Sequence, residues 1–162
     1  MKETDNNQND STNLLQLVSF KLGDEEFGVD ILRVQEINRM MQLTSVPNSP
    51  DFVEGVINLR GRVIPVLDLR VKLNMQSIEH DADTRIIVVE IHNQTVGFIV
   101  DSVKEVLRIP ESITENPPEI VAGVDSKYIK AVGKLEDRLI ILLDLEKVLI
   151  EEEQFELEEA IL

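Results

Sequence analysis

Gly61-Arg62-Val63-Ile64-Pro65-Val66-Leu67-Asp68-Leu69 returns as Asp137-Arg138-Leu139-Ile140-Ile141-Leu142-Leu143-Asp144-Leu145, 76 residues further along the chain. A second match is offset by 69 residues: Phe27-Gly28-Val29-Asp30-Ile31-Leu32-Arg33-Val34-Gln35-Glu36-Ile37 against Val96-Gly97-Phe98-Ile99-Val100-Asp101-Ser102-Val103-Lys104-Glu105-Val106. The later copy therefore holds about seven more residues between its motifs. Two copies are too few for a solenoid or propeller, which bury their cores by stacking more units. Two small, similar half-domains side by side are expected.

Reading outward from the repeat, most signals are strands. Val18, Phe20 and Leu22 alternate with Ser19 and Lys21, and Gly23-Asp24-Glu25 turns the chain into Phe27–Asp30. Arg85–Ile91, the turn at His92-Asn93-Gln94 and Val96–Val100 repeat that hairpin. Val34–Ile37 and Val103–Val106 continue as a third strand, followed by loops at Ser45–Pro50 and Pro110–Pro118. Each unit closes with a hairpin: Val56–Leu59 through Arg60-Gly61 into Val63–Leu67, and Ile129–Leu135 through Glu136-Asp137 into Leu139–Leu143.

Five strands per unit close into a small barrel, so the expected fold is mainly β. It comprises two tandem five-stranded SH3-like barrels with short helices and a C-terminal helix. The expected organisation is a tail at 1–13, a first half at 14–78, a second at 79–150, joined around Asn74–Thr84, and an acidic helix or extension at 151–162. The last strand of each unit is apolar on both faces, which suits burial between a barrel interior and another packed surface. Pro65 lacks an N–H, so its strand should have an edge or bulge there.

Composition bounds the function. The chain has 162 residues, 43% of them hydrophobic, and no cysteine, so disulfides, thiolate nucleophiles and cysteine-bound zinc are excluded. No signal-peptide pattern or bilayer-length apolar run occurs, and a cytoplasmic protein is expected. The formal charge is −15, with six glutamates in 151–162 alone, and this opposes nucleic acid or anionic lipid as a partner. Arg60, Arg62, Arg70 and Lys72 form a local basic exception, the patch that a small-barrel nucleic-acid binder would use.

Catalytic readings are weak. Asp68 and Asp144 could be the paired carboxylates of a duplicated-barrel hydrolase, but each precedes a helical pattern, where aspartate caps the first turn. Neither is followed by the Thr/Ser-Gly of aspartic proteases. His80 and His92 lack ligand spacing. Gly133-Lys134 lacks the Ser or Thr and the first glycine of a phosphate-binding loop. No enzyme activity, metal or cofactor is expected.

The stretch Gly55-Val56-Ile57-Asn58-Leu59-Arg60-Gly61 followed by Val63–Leu69, with Phe27-Gly28-Val29 and Val34-Gln35-Glu36-Ile37, closely resembles the CheW family of chemotaxis coupling proteins, from about Leu15 to Leu149. The same fold forms the regulatory domain of the kinase CheA and the front half of CheV. Met1 and Leu162 leave no room for kinase or receiver domains, so a free-standing member is expected.

The resemblance implies a non-enzymatic scaffold, monomeric when free, that joins the cytoplasmic tips of methyl-accepting chemoreceptors to the regulatory domain of CheA. It implies no direct membrane contact, and recruitment to membrane-associated arrays. Receptor-facing positions carried over are Val34, Glu36, Gly55, Asn58, Arg60 and Gly61. Gly61 can take φ > 0 at the hairpin tip, which would expose Arg60 with its planar fork. Kinase contacts, implied to be apolar patches one per half, are not assigned to residues. A different CheW-like interaction module is the alternative reading.

Overall fold

The computed structural model describes residues 13–121 and 123–149. The tail and acidic-helix expectations for 1–12 and 150–162 lie outside the described residues. The first repeat folds as β1 (Leu14–Leu22), β2 (Glu25–Asp30), β3 (Val34–Arg39), β4 (Val53–Leu59), β5 (Arg62–Asp68) and a one-turn helix α1 (Leu69–Lys72). The second follows as β6 (Arg85–Ile91), β7 (Gln94–Val100), β8 (Ser102–Pro110), β9 (Thr114–Glu115), the two-residue strands β10 (Ile120–Val121) and β11 (Val124–Asp125), β12 (Ile129–Lys134), β13 (Leu139–Leu143) and α2 (Leu145–Val148). Short 3-10 turns at Ile31–Arg33 and Glu111–Ile113 carry the chain from β2 to β3 and from β8 to β9. The loop expected over Pro110–Pro118 therefore contains a turn of helix and a short strand. Among the described residues, no helix is long and apolar enough to cross a membrane.

Two main sheets form, ordered β8-β1-β2-β13-β12-β9 and β3-β6-β7-β5-β4. The division at 78/79 separates the repeats in sequence, but the sheets do not follow it. Each repeat lends its first hairpin to the other: β2 pairs in parallel with β13, and β7 with β5. The two junctions share one register, since Gly28 faces Leu142 as Gly97 faces Val66. The outer pairings match as well, with Val18 opposite Val106 and Ile87 opposite Ile37.

No ladder among the described residues joins β8 to β9 or β3 to β4, yet both sheets curl. A flat six-stranded sheet would hold its edges about 24 Å apart. Only the Glu111–Ile113 turn separates β8 from β9 in sequence, a link of at most about 14 Å. In the other sheet, Arg60 at the β4–β5 tip reaches Glu36 on β3 at 2.7 Å, across the full strand order.

Burial follows strand parity. Val18, Val29, Leu67, Ile87, Val89, Ile141 and Leu143 point into one large core shared by the two sheets. Their alternating neighbours fill a separate cluster inside each curl: Ile64, Val66, Ile86 and Val88 in one, Leu17, Ile140 and Leu142 in the other. Strands buried on both faces thus read as continuous apolar runs, as β5 and β13 do. Pro65 sits inside the sheet, but the β5–β7 ladder begins at Val66, so its missing donor falls where that flank of β5 is unpaired.

Candidate protein-interaction site

The β4–β5 turn is the two-residue type in which both central residues take positive φ: 52° at Arg60 and 84° at Gly61. Asn or Gly normally fills the first of these positions, so an arginine there is held in a strained conformation. Asn58 Oδ1 accepts the Gly61 N–H at 2.9 Å and secures the turn from below. The Arg60 side chain is left 79% exposed, while Glu36, which it pairs with, is 22% exposed.

Glu36 is held from two sides. Asn38 Nδ2 donates to Oε1 at 2.8 Å and Arg60 Nη1 to Oε2 at 2.7 Å. Together these keep its carboxyl below the usual glutamate value, against a small opposing effect of burial. Asn38 is a site residue the sequence reading passed over. Its signal was strand parity, since residues two apart share a face.

The six expected positions differ in what they offer. Glu36, Asn58, Arg60 and Gly61 come together at the curl of the sheet. Val34 is half-buried against the shared core, separated from Glu36 by a bulge at Gln35. Gly55 is buried, and a Cβ there would lie 2.7 Å from the Thr44 carbonyl oxygen. Thr44 and Val56 exchange N–H to carbonyl bonds of 3.0 and 2.9 Å at that point, so Gly55 admits a backbone rather than presenting a surface.

The second repeat carries a charged cluster of different composition. Arg138, equivalent to Arg62, donates to the buried Glu26 and to exposed Glu105, the equivalent of Glu36, and also pairs with Asp137. Its hairpin tip is acidic, Glu136-Asp137, where the first is Arg60-Gly61. Each repeat also exposes two apolar side chains at matching positions: Ile37 and Val63 in one, Val106 and Leu139 in the other, between 40% and 56% exposed. Repeat equivalence would have paired these four residues, but only the structure shows that they are uncovered.

The basic stretch does not assemble into a patch. Arg70 is turned inward onto Asp101 with 12% of its side chain exposed, Lys72 lies over the Phe52 ring, and Arg62 donates to Thr95 Oγ1. Asp68 and Asp144 each accept the N–H two residues on, at 3.0 and 3.1 Å, which is the capping role. A further bond from Ser77 Oγ occupies the Asp68 carboxylate.

A protein-family model described as the CheW-like domain matches residues 16–153. The chain belongs to that family. It is 41% identical over 138 residues to the chemotaxis protein CheW of Klebsiella aerogenes, covering 85% of this chain and 83% of the relative. With CheW of Thermotoga maritima it shares 37% over 144 residues, covering 88% and 92%. A crystal structure of the scaffolding protein TtCheW from Thermoanaerobacter tengcongensis superposes with a TM-score of 0.78 at 37% identity, covering 86% of this chain and 90% of that one. As a CheW-like protein, the chain serves chemotaxis as a non-enzymatic scaffold.

Proposed function

We propose that this CheW-like chain couples the cytoplasmic tip of a methyl-accepting chemoreceptor to the regulatory domain of the histidine kinase CheA, working in the cytoplasm beside membrane-borne receptor arrays. The observation that carries the receptor half is the Glu36–Arg60 pair, which pins an exposed, strained hairpin tip onto β3. An acid and a guanidinium held side by side can each meet an opposite charge on a receptor helix. In this reading Glu36 and Arg60 make the contact, Asn58 and Gly61 shape the turn, Val34 anchors the start of β3 on the shared core, and Gly55 lets the Thr44 backbone pack against β4. The exposed apolar pairs support the kinase half, because a scaffold with two equivalent faces can meet a partner on either side.

Calorimetric titration with a receptor cytoplasmic fragment and, separately, with the CheA regulatory domain tests the reading. The wild-type chain binds both. Arg60→Glu weakens receptor binding at least about tenfold, a loss of roughly 1.4 kcal/mol, and leaves kinase binding unchanged. Equal receptor affinity in the variant removes Arg60 from the contact, and failure of the wild-type chain to bind either fragment overturns the coupling role.

A further inference from the structure

The exchange of hairpins between repeats raises a question of choice. Because both parallel junctions use one register, β2 could dock on β5 of its own repeat, and β7 on β13. That fold-back would give two contiguous five-stranded units, the arrangement that the order of strands along the chain suggests.

Charges beyond the ends of these strands discriminate between the two dockings. In the observed one, Arg70 of α1 donates through Nε to Asp101 Oδ1 at 2.8 Å and through Nη2 to Oδ2. At the equivalent place in the other junction, Glu146 of α2 pairs with Arg33. Arg70 and Glu146 are repeat equivalents of opposite charge, and so in effect are Asp101 and Arg33, offset by one residue. Applying the same register to fold-back puts Arg70 beside Arg33 and Glu146 beside Asp101. Exchange therefore makes two attractive contacts, and fold-back makes two repulsive ones.

We propose that this inverted pair of ion pairs directs the hairpins to exchange between repeats and opposes their docking on their own repeat. The Arg33–Glu146 contact is small, as exposed ion pairs are, and the Arg70–Asp101 contact is largely covered, with side chains 12% and 20% exposed, but all four contacts act on the same choice. Specificity obtained by placing like charges in the competing arrangement is the device that distinguishes partners in other pairings. The proposal does not depend on which proteins the scaffold binds.

The test uses the more exposed pair, whose side chains are 42% and 48% accessible, so that reversal does not disturb the core. The double variant R33E/E146R retains an ion pair of reversed polarity in the native docking, and makes both fold-back contacts attractive. The neutral variant R33Q/E146Q removes the Arg33–Glu146 attraction and both fold-back repulsions, leaves Arg70–Asp101 in place, and adds no attraction to fold-back. Full-length chains are refolded from urea at low salt. The misdocked fraction is read as a slow-refolding population in which nuclear Overhauser contacts link Gly97 to Leu142 instead of to Val66.

The expected order is wild type, then neutral, then reversed, with the reversed variant trapping roughly tenfold more chains than wild type, from contacts of the size exposed pairs have. Refolding of R33E/E146R with wild-type rate and yield overturns the proposal. So does a misdocked fraction in R33Q/E146Q equal to or above that of R33E/E146R, because the cause would then be lost stability alone.

Discussion

Gly55→Ala should cost stability through a carbonyl oxygen rather than through a side chain. The new methyl would lie 2.7 Å from Thr44 O, 3.1 Å from Leu43 Cβ and 3.2 Å from the Thr44 carbonyl carbon. Restoring an ordinary contact needs a shift of roughly 0.6 Å in the 43–44 segment, which stretches the two Thr44–Val56 bonds to the edge of useful geometry. Losing two backbone bonds costs about 2 kcal/mol, and the reduced freedom of alanine in the unfolded chain returns up to about 1 kcal/mol. The net is about 1–2 kcal/mol, or a fall of roughly 2–8 °C in Tm. Amide exchange locates the effect: Thr44 and Val56 should open roughly ten times more often, while β12 and β13 keep their protection. Gly61→Ala is the control, because nothing lies within 4 Å of its would-be Cβ and its φ of +84° alone sets a cost of about 1 kcal/mol. Wild-type stability in Gly55→Ala, with unchanged exchange at Thr44 and Val56, would refute the close-approach argument.

Further expectations concern the junctions between repeats. Partial burial pushes the Asp101 carboxyl up, but bonds from Arg70 and from the Gly23 N–H outweigh it and hold the group below its ordinary value. Its contribution to stability is thus complete above the unfolded-state value, near 4, and is lost as pH falls through the lower folded value. Urea midpoints measured downward from pH 5 should show that loss in the wild type, and Arg70→Met should lower the midpoint already at neutral pH. Arg138→Met strips the buried Glu26 of its cation, leaving Ser19 Oγ as a donor at 2.6 Å, and should cost about 2–3 kcal/mol by denaturant titration. Glu105→Gln, at the exposed end of the same cluster, should cost less than about 1 kcal/mol. Gly97→Ala brings a methyl 2.8 Å from buried Ile86 Cγ2, whereas its equivalent Gly28→Ala approaches Ile140 Cδ1 only to 3.1 Å, so thermal unfolding should show Gly97→Ala as the more damaging.

A duplicated scaffold of this kind is stabilised where its copies meet. The largest core belongs to neither repeat alone, since β1 and β2 of the first and β6, β7, β12 and β13 of the second all contribute to it. The curls enclose smaller clusters of four to six buried residues each. Truncation at the repeat boundary would therefore expose the shared core and remove a hairpin from each sheet. The acidic carboxylates of the two cap positions fit the same picture, each serving the helix that leads away from a junction strand.

Sequence alone was sufficient for whatever depends on neighbours along the chain. Period-two alternation placed β1, the double-faced apolar runs marked β5 and β13 as interior strands, and Asp68 and Asp144 announced helix starts. Gly61 after Arg60 marked a tight turn, because so few residues accept positive φ. The repeat offsets also established which residues are equivalent, so that the matching of Ile37 with Val106 and of Val63 with Leu139 was already present in the sequence. Tertiary structure decided what depends on which surfaces meet. Both repeats carry hairpins and final strands with the same pattern and register, so local propensity cannot say whose hairpin docks on whose strand. That choice belongs to side chains dozens of residues apart, Arg70 with Asp101 and Arg33 with Glu146. The same holds for the site: Glu36 and Arg60 become partners only because the sheet curls until its edge strand meets its farthest hairpin, a closure set by packing over the whole sheet and by no residue within it.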